Sequence, residues 1–432
     1  MKTVRVSRWI PLLLLFLLAG CAVNPVTGRE ELALMSVPVE QEVQMGKEAY
    51  AQALQTMGGI YPDAELNAYI DRVGQKLARV SQRPDLKYTF KAVNDSSPNA
   101  FALPGGFVAV TRGLLINLED EAQLAAVLGH EIGHVNAKHS LQGMQRSTLL
   151  GATVSLLGGL AGNSGYADLV GQIGGVTANL IDKRFSREQE SEADLLGIDY
   201  MVKAGYSPQG AIELQEIFYN KIENGQNPDW VSGLFRTHPF SKERLSANRA
   251  YVQRNYSGVV TGYGLNHADF HQAIADLEKT KDAYALYDQA QELEGKGELE
   301  TAIEIYHKAV QSAPDQALLQ CGLGMAYLRK EDLIPARRYL LKAVNMDDNY
   351  FLSQMGLGYI YLQNKEPKTA AEHLETSLKL VPMVQSAYLL AEADESLGNR
   401  ARARELYQAV VKADQNGKLG KAAAAKLQRM EQ

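Results

Sequence analysis

Apolar residues recur three and four positions apart up to the histidine-rich stretch LGHEIGHVNAKHS, which is the spacing of one helix face. Asn117 is the predicted N-cap of this helix, and acidic residues 119–121 place negative charge beside the unpaired amides of its first turn. The apolar stripe comprises Leu124, Val127, Leu128 and Val135. The pattern therefore predicts an amphipathic helix that carries the first two histidines of the stretch.

A second helix is predicted from Phe185 to Met201. Ser186 and Gln189 have the spacing of a capping box, in which each side chain accepts a hydrogen bond from a backbone amide at the helix start. The positions expected to be buried are Ala193, Leu195, Leu196, Ile198 and Met201. The capping signal and the apolar pattern therefore agree on a helix in this stretch.

A short strand is predicted after the turn at Pro104 and Gly105, where the chain continues GFVAV. Its edge could pair with the extended backbone of a substrate through Gly106, Phe107 and Val108, and such pairing takes little account of sequence. An ordinary strand inside a sheet is the alternative, and the two interpretations are compatible.

The C-terminal third of the chain repeats with a period of 34 residues. Small residues recur at equivalent positions of successive copies, namely Ala302, Ala336 and Ala370. A weaker fourth copy with Ala403 follows. This is the tetratricopeptide pattern, in which helix pairs stack into a solenoid with a concave surface for peptides or partner proteins. We expect four repeats over residues 283–416 and a capping helix over residues 417–432.

Within the first helix, the spacing of His130 and His134 places two imidazoles one turn apart. Two such rings can bind a single Zn²⁺, and Glu131 on the adjacent flank can reach a water molecule at the metal. A structural zinc site would need four protein ligands, usually including cysteine, yet the chain contains only Cys21 and Cys321. Unless this HExxH is a chance match, it predicts a catalytic zinc site.

The longer zinc motif HExxHxxGxxH does not fit, because Ala137 and Ser140 occupy its glycine and third-histidine positions. His139 is no substitute, since a residue five positions after His134 points about 140° away on a continuous α-helix. We interpret His139 as a structural histidine or as one that supports a ligand from behind. The third ligand must therefore come from another segment.

Glu190 is the candidate third ligand, and Asp194, one turn further along, is placed to accept the second N–H of a zinc-bound histidine. Carboxylates four residues apart repel each other by roughly a few tenths of a kcal/mol, so we expect a cation beside one acidic pair of this helix. A solvated acidic face is the alternative, and it fits Glu188 and Glu192 well. Spacing alone leaves the choice for Glu190 open.

The stretches HEIGHVNAKH, NAFALPGGFVAVTRGLL, SREQESEADLLG and RTHPFSKERL together resemble the M48 family of zinc endopeptidases. The resemblance spans roughly residues 40–255 and implies a mainly helical, zincin-type domain with a small β-sheet. It implies one Zn²⁺ per chain. The implied site residues are the ligands His130, His134 and Glu190, the catalytic base Glu131 and the supporting Asp194.

The same resemblance places His238, in the segment Thr237-His238-Pro239, and Arg244 near the substrate or the metal. Two roles remain open for His238. It could occupy the open position of the zinc and hold the enzyme latent. Alternatively, it could act with Arg244 to stabilise the oxyanion that develops on the scissile carbonyl.

The first residues of the chain have the pattern of an export signal. Basic residues precede an apolar run from Ile10 to Leu18, which is shorter than the ~20 residues of a spanning helix. With the following Ala-Gly-Cys, the run resembles the signal of bacterial lipoproteins, which implies removal of residues 1–20, acylation of Cys21 and a lipid-anchored segment over residues 21–45. Residue 22 is Ala and not the Asp of inner-membrane retention, which favours the outer membrane, facing the periplasm. A plain secretory signal is the alternative.

The net charge of −6, without a basic block, argues against a nucleic-acid partner. Cys321 falls in an apolar helix of a repeat, which predicts packing and no disulfide. The segment from Leu149 to Ile181 is apolar but interrupted by polar residues, so we expect a helical hairpin or a lid over the site. Some M48 relatives carry membrane helices in this region, which keeps a membrane role open.

The predicted architecture is a mainly helical protease domain over residues 46–254, a linker over residues 255–282 and the solenoid. A lipoprotein signal, this protease and these repeats together resemble the beta-barrel assembly-enhancing protease group, although the lipobox and the lack of a cysteine pair in the repeats depart from it. The resemblance implies an envelope endopeptidase that cleaves misfolded or stalled periplasmic and outer-membrane proteins, with repeats that bind substrate or an assembly partner. The alternative is a mostly latent protease that acts as a repeat-based chaperone or assembly factor.

Overall fold

The computed structural model describes residues 21–23, 28, 30–32, 37–143, 184–223, 238, 241–259 and 266–432. Over these residues the chain is mainly helical, with one three-stranded sheet and one two-stranded ribbon, which confirms the predicted fold class. The export signal over residues 1–20 and the apolar segment from Leu149 to Ile181 lie outside the described residues. Within the described ranges, no helix combines the length and the apolar character that a membrane crossing requires.

The strands are β1 (Cys21–Val23), β2 (Glu30–Leu32), β3 (Thr89–Val93), β4 (Ala100–Leu103) and β5 (Phe107–Thr111). The helices of the first part are α1 (Val39–Thr56), α2 (Ala64–Ala78), α3 (Arg112–Leu115), α4 (Glu121–Asn136), α5 (Arg187–Lys203), α6 (Gln209–Glu223) and α7 (Lys242–Tyr256). The helices that follow are α8 (His267–Ala273), α9 (Ala275–Gly295), α10 (Leu299–Ser312), α11 (Ala317–Arg329), α12 (Leu333–Met346), α13 (Phe351–Gln363), α14 (Pro367–Leu380), α15 (Val384–Ser396), α16 (Arg400–Ala413) and α17 (Lys418–Glu431).

Strand β5 is the central strand of the three-stranded sheet, whose order is β3-β5-β4. It pairs in parallel with β3 and antiparallel with β4. The prediction that Gly106, Phe107 and Val108 offer a free edge to a substrate is therefore wrong, because both edges of β5 carry a neighbouring strand. The outer strand β4 packs beside helix α4 and is the strand of this sheet next to the histidines.

Helix α4 begins one turn later than predicted. The Asp120 carboxylate, and not Asn117, caps it by accepting the backbone N–H of Gln123 at 2.8 Å. Asn117 instead donates to the carbonyl of Gly113 in the preceding short helix. Helix α4 also does not continue to His139. It ends at Asn136, and Lys138 has a left-handed φ of 56°. Helix α5 begins with the predicted capping box of Ser186 and Gln189.

Helices α4 and α5 pack so closely that a side chain does not fit between them at two glycines. A Cβ built on Gly133 would lie 2.9 Å from the carbonyl oxygen of Ala193. One built on Gly197 would lie 2.8 Å from the backbone nitrogen of His130. Glycine at these positions lets the two backbones approach to near contact.

Four helix pairs, α9/α10 to α15/α16, form the predicted solenoid, and α17 covers its end. The recurring small residues lie where neighbouring helices cross, and Ala302, Ala336, Ala370 and Ala403 are fully buried. Cys321 is buried in α11 and is a free thiol, as predicted. The first part and the repeats share one continuous hydrophobic core.

Helix α9 joins the repeats to the first part, and the predicted domain boundary at residue 283 falls inside it. Its Tyr284 is buried, accepts a hydrogen bond from Asn94 Nδ2 at 2.9 Å, and lies under the guanidinium of Arg112 at 4.0 Å. Asp276, near the start of α9, accepts the hydroxyl of Tyr61 at 2.8 Å. The first helix of the solenoid is thus also part of the core of the preceding domain.

A second contact lies further along the array. Gln55 of α1 donates to the carbonyl of Asn349 at 2.6 Å and accepts the backbone N–H of Phe351 at 3.0 Å. The neighbouring turn at Gly58 lies against the side chain of Leu318 in the second repeat. Because three successive repeats contact the first part, the repeats are fixed to it over a broad surface.

Tyr284→Ala should lower the free energy of unfolding by roughly 3–5 kcal/mol, because it removes a fully buried ring and the hydroxyl that satisfies Asn94. Tyr359→Ala, at a half-buried tyrosine of the third repeat, is the matched control and should cost less. Urea unfolding followed by circular dichroism measures both variants. Equal losses would show that α9 contributes no more to the core than an interior repeat helix does.

Candidate metal centre

Four side chains from separate parts of the sequence converge beside the crossing of α4 and α5. They are His130 and His134 of α4, Glu190 of α5 and His238, and one ligand atom from each lies within 4.8 Å of all the others. The Nε2 atoms of the two α4 histidines are 3.0 Å apart. Glu190 Oε1 lies 3.4 Å from His134 Nε2, and Glu190 Oε2 lies 3.6 Å from His130 Nε2. The structure thus brings Glu190 to the two histidines, which spacing alone left open.

The donors in this cluster fit a zinc ion. Three imidazoles and one carboxylate are nitrogen and oxygen ligands of the kind that zinc takes, and their number suits a tetrahedral site. Glu190 is fully buried, so its negative charge needs cations close by. A divalent ion among these ligand atoms would supply that charge.

Glu131 lies next to the cluster and is 2% exposed. Its Oε1 is 3.5 Å from His238 Nε2, whereas its buried Oε2 has no hydrogen-bond partner among the residues that the structure describes. Burial raises the pKa of Glu131, although the nearby His238 and His130 oppose this. A carboxylate with a raised pKa and an unsatisfied oxygen is suited to take a proton from a small polar molecule such as water.

Asp194 supports His130 from behind, in the position predicted for it. Its Oδ1 lies 2.9 Å from His130 Nδ1, and Asn248 donates to its Oδ2 at 2.9 Å. Burial alone would raise the pKa of Asp194, but the charge of Arg244 and the hydrogen bonds lower it to about 2. Asp194 therefore stays ionised and accepts the Nδ1 proton of His130, which leaves Nε2 unprotonated toward the cluster.

Arg244 is the cation expected beside the acidic pair of α5. Its Nη1 donates to Glu190 Oε2 at 2.7 Å, while Nε and Nη2 donate to the two oxygens of Asp194 at 2.9 and 2.7 Å. The guanidinium is buried and clamps both carboxylates. Arg244 thus contacts the candidate ligand Glu190 and also lines a pocket beside the cluster, so both positions that the sequence left open for it, near the substrate and near the metal, remain compatible with the structure.

His238 is buried within the cluster. Its Nδ1 lies 3.0 Å from Glu190 Oε1 and 3.2 Å from His130 Nε2. Burial would lower the pKa of His238, but the carboxylates of Glu190 and Glu131 raise it to about 9. The flanking residues 224–237 and 239–240 lie outside the described residues. The contacts place this histidine where a fourth ligand would be.

Sequence analysis missed three residues of the site. Asn248 holds Asp194, and the ring of Phe185 lies 4.0 Å from that of His134. Glu192, assigned above to a solvated face, lies 3.1 Å from His139 Nε2 and its side chain is 14% exposed. The assignment was wrong for Glu192 but holds for the exposed Glu188. None of the three had a local signal, because a residue two positions from Glu190 does not share its helix face and the other two lie further from it along the chain.

An apolar pocket opens beside Glu131 and His238. Its walls come from α4, α5 and α6, with Val127, Ile198, Met201, Leu214 and Phe218 among the lining residues. A peptide whose backbone crosses the cluster could place an apolar side chain there.

The family model described as Peptidase family M48 matches residues 64–285, a range that contains every side chain of the cluster. A tetratricopeptide repeat model matches residues 287–350 and 355–418. A crystal structure of the tetratricopeptide protein YrrB is similar to 49% of this chain and 99% of its own, with a TM-score of 0.30 and 16% identity.

Two relatives illustrate the range of similarity. The chain is 31% identical over 228 residues to the beta-barrel assembly-enhancing protease of Escherichia coli, which covers 51% of this chain and 46% of that protein. It is 31% identical over 225 residues to the mitochondrial metalloendopeptidase OMA1 of Schizosaccharomyces pombe, which covers 51% of this chain and 63% of the relative. The chain thus spans about half to two thirds of the length of these relatives.

The family model covers more than half of the chain, and the residues that it contains form the geometry of a metal centre on an HExxH helix. The chain therefore belongs to peptidase family M48, with tetratricopeptide repeats following the peptidase part.

Proposed function

We propose that this chain is a zinc-dependent endopeptidase of the bacterial envelope that cleaves misfolded or stalled periplasmic and outer-membrane proteins. The observation that carries the proposal is the cluster of His130, His134 and Glu190 with the buried Glu131 beside it. The similarity to beta-barrel assembly-enhancing proteases supports the envelope and the class of substrate.

In the proposed reaction, His130, His134 and Glu190 hold the zinc ion. Zinc supplies Lewis acidity when bound, which polarises the scissile carbonyl and makes a water molecule more acidic. Glu131 then takes the proton of that water and later passes it to the leaving amine. Burial around Glu131 suits the first of these steps, because it raises the affinity of the carboxylate for a proton.

The ion pairs around the cluster would keep the ligands in place during this reaction. Arg244 is hydrogen-bonded to both Glu190 and Asp194, which restricts the rotation of the two carboxylates. We therefore assign Arg244 a positioning role. At least three of its five N–H donors are engaged by the two carboxylates, which favours this role over stabilisation of the oxyanion, the alternative that the sequence left open.

We assign His238 to latency, since its Nδ1 lies among the ligand atoms and would fill the position that a catalytic zinc keeps open. Substrate would enter when His238 leaves the cluster. This contact also favours the second candidate function, a mostly latent protease that acts as a repeat-based chaperone or outer-membrane assembly factor.

The location and the partners complete the proposal. We propose that residues 1–20 are an export signal, that Cys21 carries a lipid anchor and that the protein faces the periplasm from the outer membrane. The repeats would bind substrate or an assembly partner, and nucleic acid is not an expected partner. Domain limits at residues 46–254 and 283–416 remain part of this proposal, with α9 shared between the two.

Glu131→Gln should retain close to one zinc per chain while proteolysis of an unfolded substrate falls by roughly 10²- to 10⁴-fold, because the base is lost and the ligands are not. Glu188→Gln, at an exposed position of α5, is the control and should leave both properties unchanged. Metal analysis and a casein cleavage assay measure the outcome. Wild-type activity in Glu131→Gln would refute the mechanism.

His238→Ala should make the enzyme more active and prone to self-cleavage, because the position that His238 fills becomes open. If His238 instead stabilised the oxyanion, the rate would fall to roughly a hundredth or less. Initial rates on one unfolded substrate, normalised to bound zinc, distinguish the two outcomes. His271→Ala, at a half-exposed histidine of α8, is the control.

Cys21→Ser should abolish acylation and move the protein from the membrane fraction to the soluble periplasmic fraction, because the anchor depends on one thiol. Membrane fractionation and a radiolabelled fatty acid report the change. Wild-type protein found wholly in the soluble fraction would contradict the lipid anchor.

A further inference from the structure

The side of His134 that faces away from the cluster carries a chain of hydrogen bonds. His134 Nδ1 lies 2.9 Å from His139 Nδ1, and His139 Nε2 lies 3.1 Å from Glu192 Oε2. His134 and His139 are each 1% exposed, and the side chain of Glu192 is 14% exposed. The mechanism above uses neither His139 nor Glu192.

The direction of the protons in this chain follows from chemistry. Nε2 of His134 faces Glu190 and His130, so a neutral ring that offers its Nε2 lone pair there carries its proton on Nδ1. That proton can be donated only to an unprotonated Nδ1 on His139, which then carries its own proton on Nε2. Oε2 of Glu192 accepts it. Each group then donates its proton to the next, in the order His134, His139, Glu192.

The backbone places these groups by breaking a helix. On a continuous α-helix, His139 would point about 140° away from His134. Here α4 ends at Asn136, Lys138 adopts a left-handed conformation, and helical geometry resumes over residues 139–143. This break in the helix brings the imidazole of His139 to the Nδ1 side of His134, which faces away from the cluster. The expectation based on an unbroken helix was wrong about the direction, and His139 does support a ligand.

We infer that His139 and Glu192 are positioning residues that fix the ring orientation and the tautomer of His134 through this relay. The inference rests on the proposed zinc endopeptidase function. It gives the two histidines of the motif different supports. His130 donates directly to Asp194, whose charge Arg244 neutralises, whereas His134 reaches a carboxylate through a second imidazole. Loss of such support for a ligating histidine typically weakens metal affinity about 10- to 100-fold.

Two substitutions at His139 separate hydrogen bonding from packing. His139→Phe keeps a ring of similar size but cannot accept the Nδ1 proton of His134. His139→Gln loses the ring, but its amide oxygen can accept that proton and its amino group can donate to Glu192. We expect the zinc dissociation constant, measured by competition with a chelator, to rise about 10- to 100-fold for His139→Phe and only a few-fold for His139→Gln.

Glu192 provides the second test. Glu192→Ala removes the acceptor for His139 and should weaken zinc binding, whereas Glu192→Gln retains an acceptor oxygen and should stay close to wild type. Glu188→Ala, on an exposed position of the same helix, is the matched control. Circular dichroism and thermal unfolding of the zinc-free proteins show whether each variant is folded, so that zinc binding is compared only between folded chains.

The opposite order of affinities, with His139→Phe near wild type and His139→Gln weak, would show a packing role and overturn the relay. Wild-type affinity in both His139→Phe and Glu192→Ala would also overturn it. Failure of the proposed function looks different: the wild-type protein would bind no zinc, or Glu131→Gln would remain active. The experiments therefore distinguish failure of the relay from failure of the proposed protease function.

Discussion

The near contact between helices α4 and α5 is the constraint on which the rest of the site depends. Gly133 and Gly197 leave no room for a side chain where the helices cross, so the backbones approach closely enough for the carboxylate of Glu190 to reach both His130 and His134. A Cβ at Gly133 or Gly197 would lie less than 3.0 Å from backbone atoms of the facing helix. Backbone atoms in a close-packed core cannot move aside easily. The zinc motif supplies two ligands, and this crossing supplies the third.

The same closeness creates an electrostatic problem that the fold must solve. Glu190 and Asp194 lie one turn apart on α5 and are both buried, and two such charges would repel each other in a medium of low polarity. Arg244 bridges them with three short hydrogen bonds, so α7 is held against α5 at the point where the ligands need support. Removal of one partner from such a buried network leaves the other charges buried and unpaired. The stability lost is then far larger than the net stabilisation by the intact pair.

Sequence reasoning succeeded where the signal is local and failed where it depends on neighbours. The i, i+4 spacing of His130 and His134 and the capping box of Ser186 need only helix geometry, which a short stretch of chain specifies. The neighbours of β5 depend on strand order, so the turn before GFVAV identified a strand but not the loss of its edges. Glu192 was assigned to solvent because its partner His139 comes from another segment, past a left-handed residue that spacing rules do not anticipate.

The supports around the cluster also decide which proposed ligand can move. Four protein ligands close a tetrahedral zinc site, whereas catalysis needs one position for water and substrate. His130 is held by Asp194, His134 by His139, and Glu190 by Arg244, each on a helix that packs into the core. His238 contacts Glu190, His130 and Glu131, all of which belong to the site itself. Among the described residues, departure of His238 would break its contacts with Glu190, His130 and Glu131 and would uncover the ring of Phe185, 5.5 Å away. Zinc and the incoming substrate can satisfy the three polar groups, so His238 is the ligand that we expect to move.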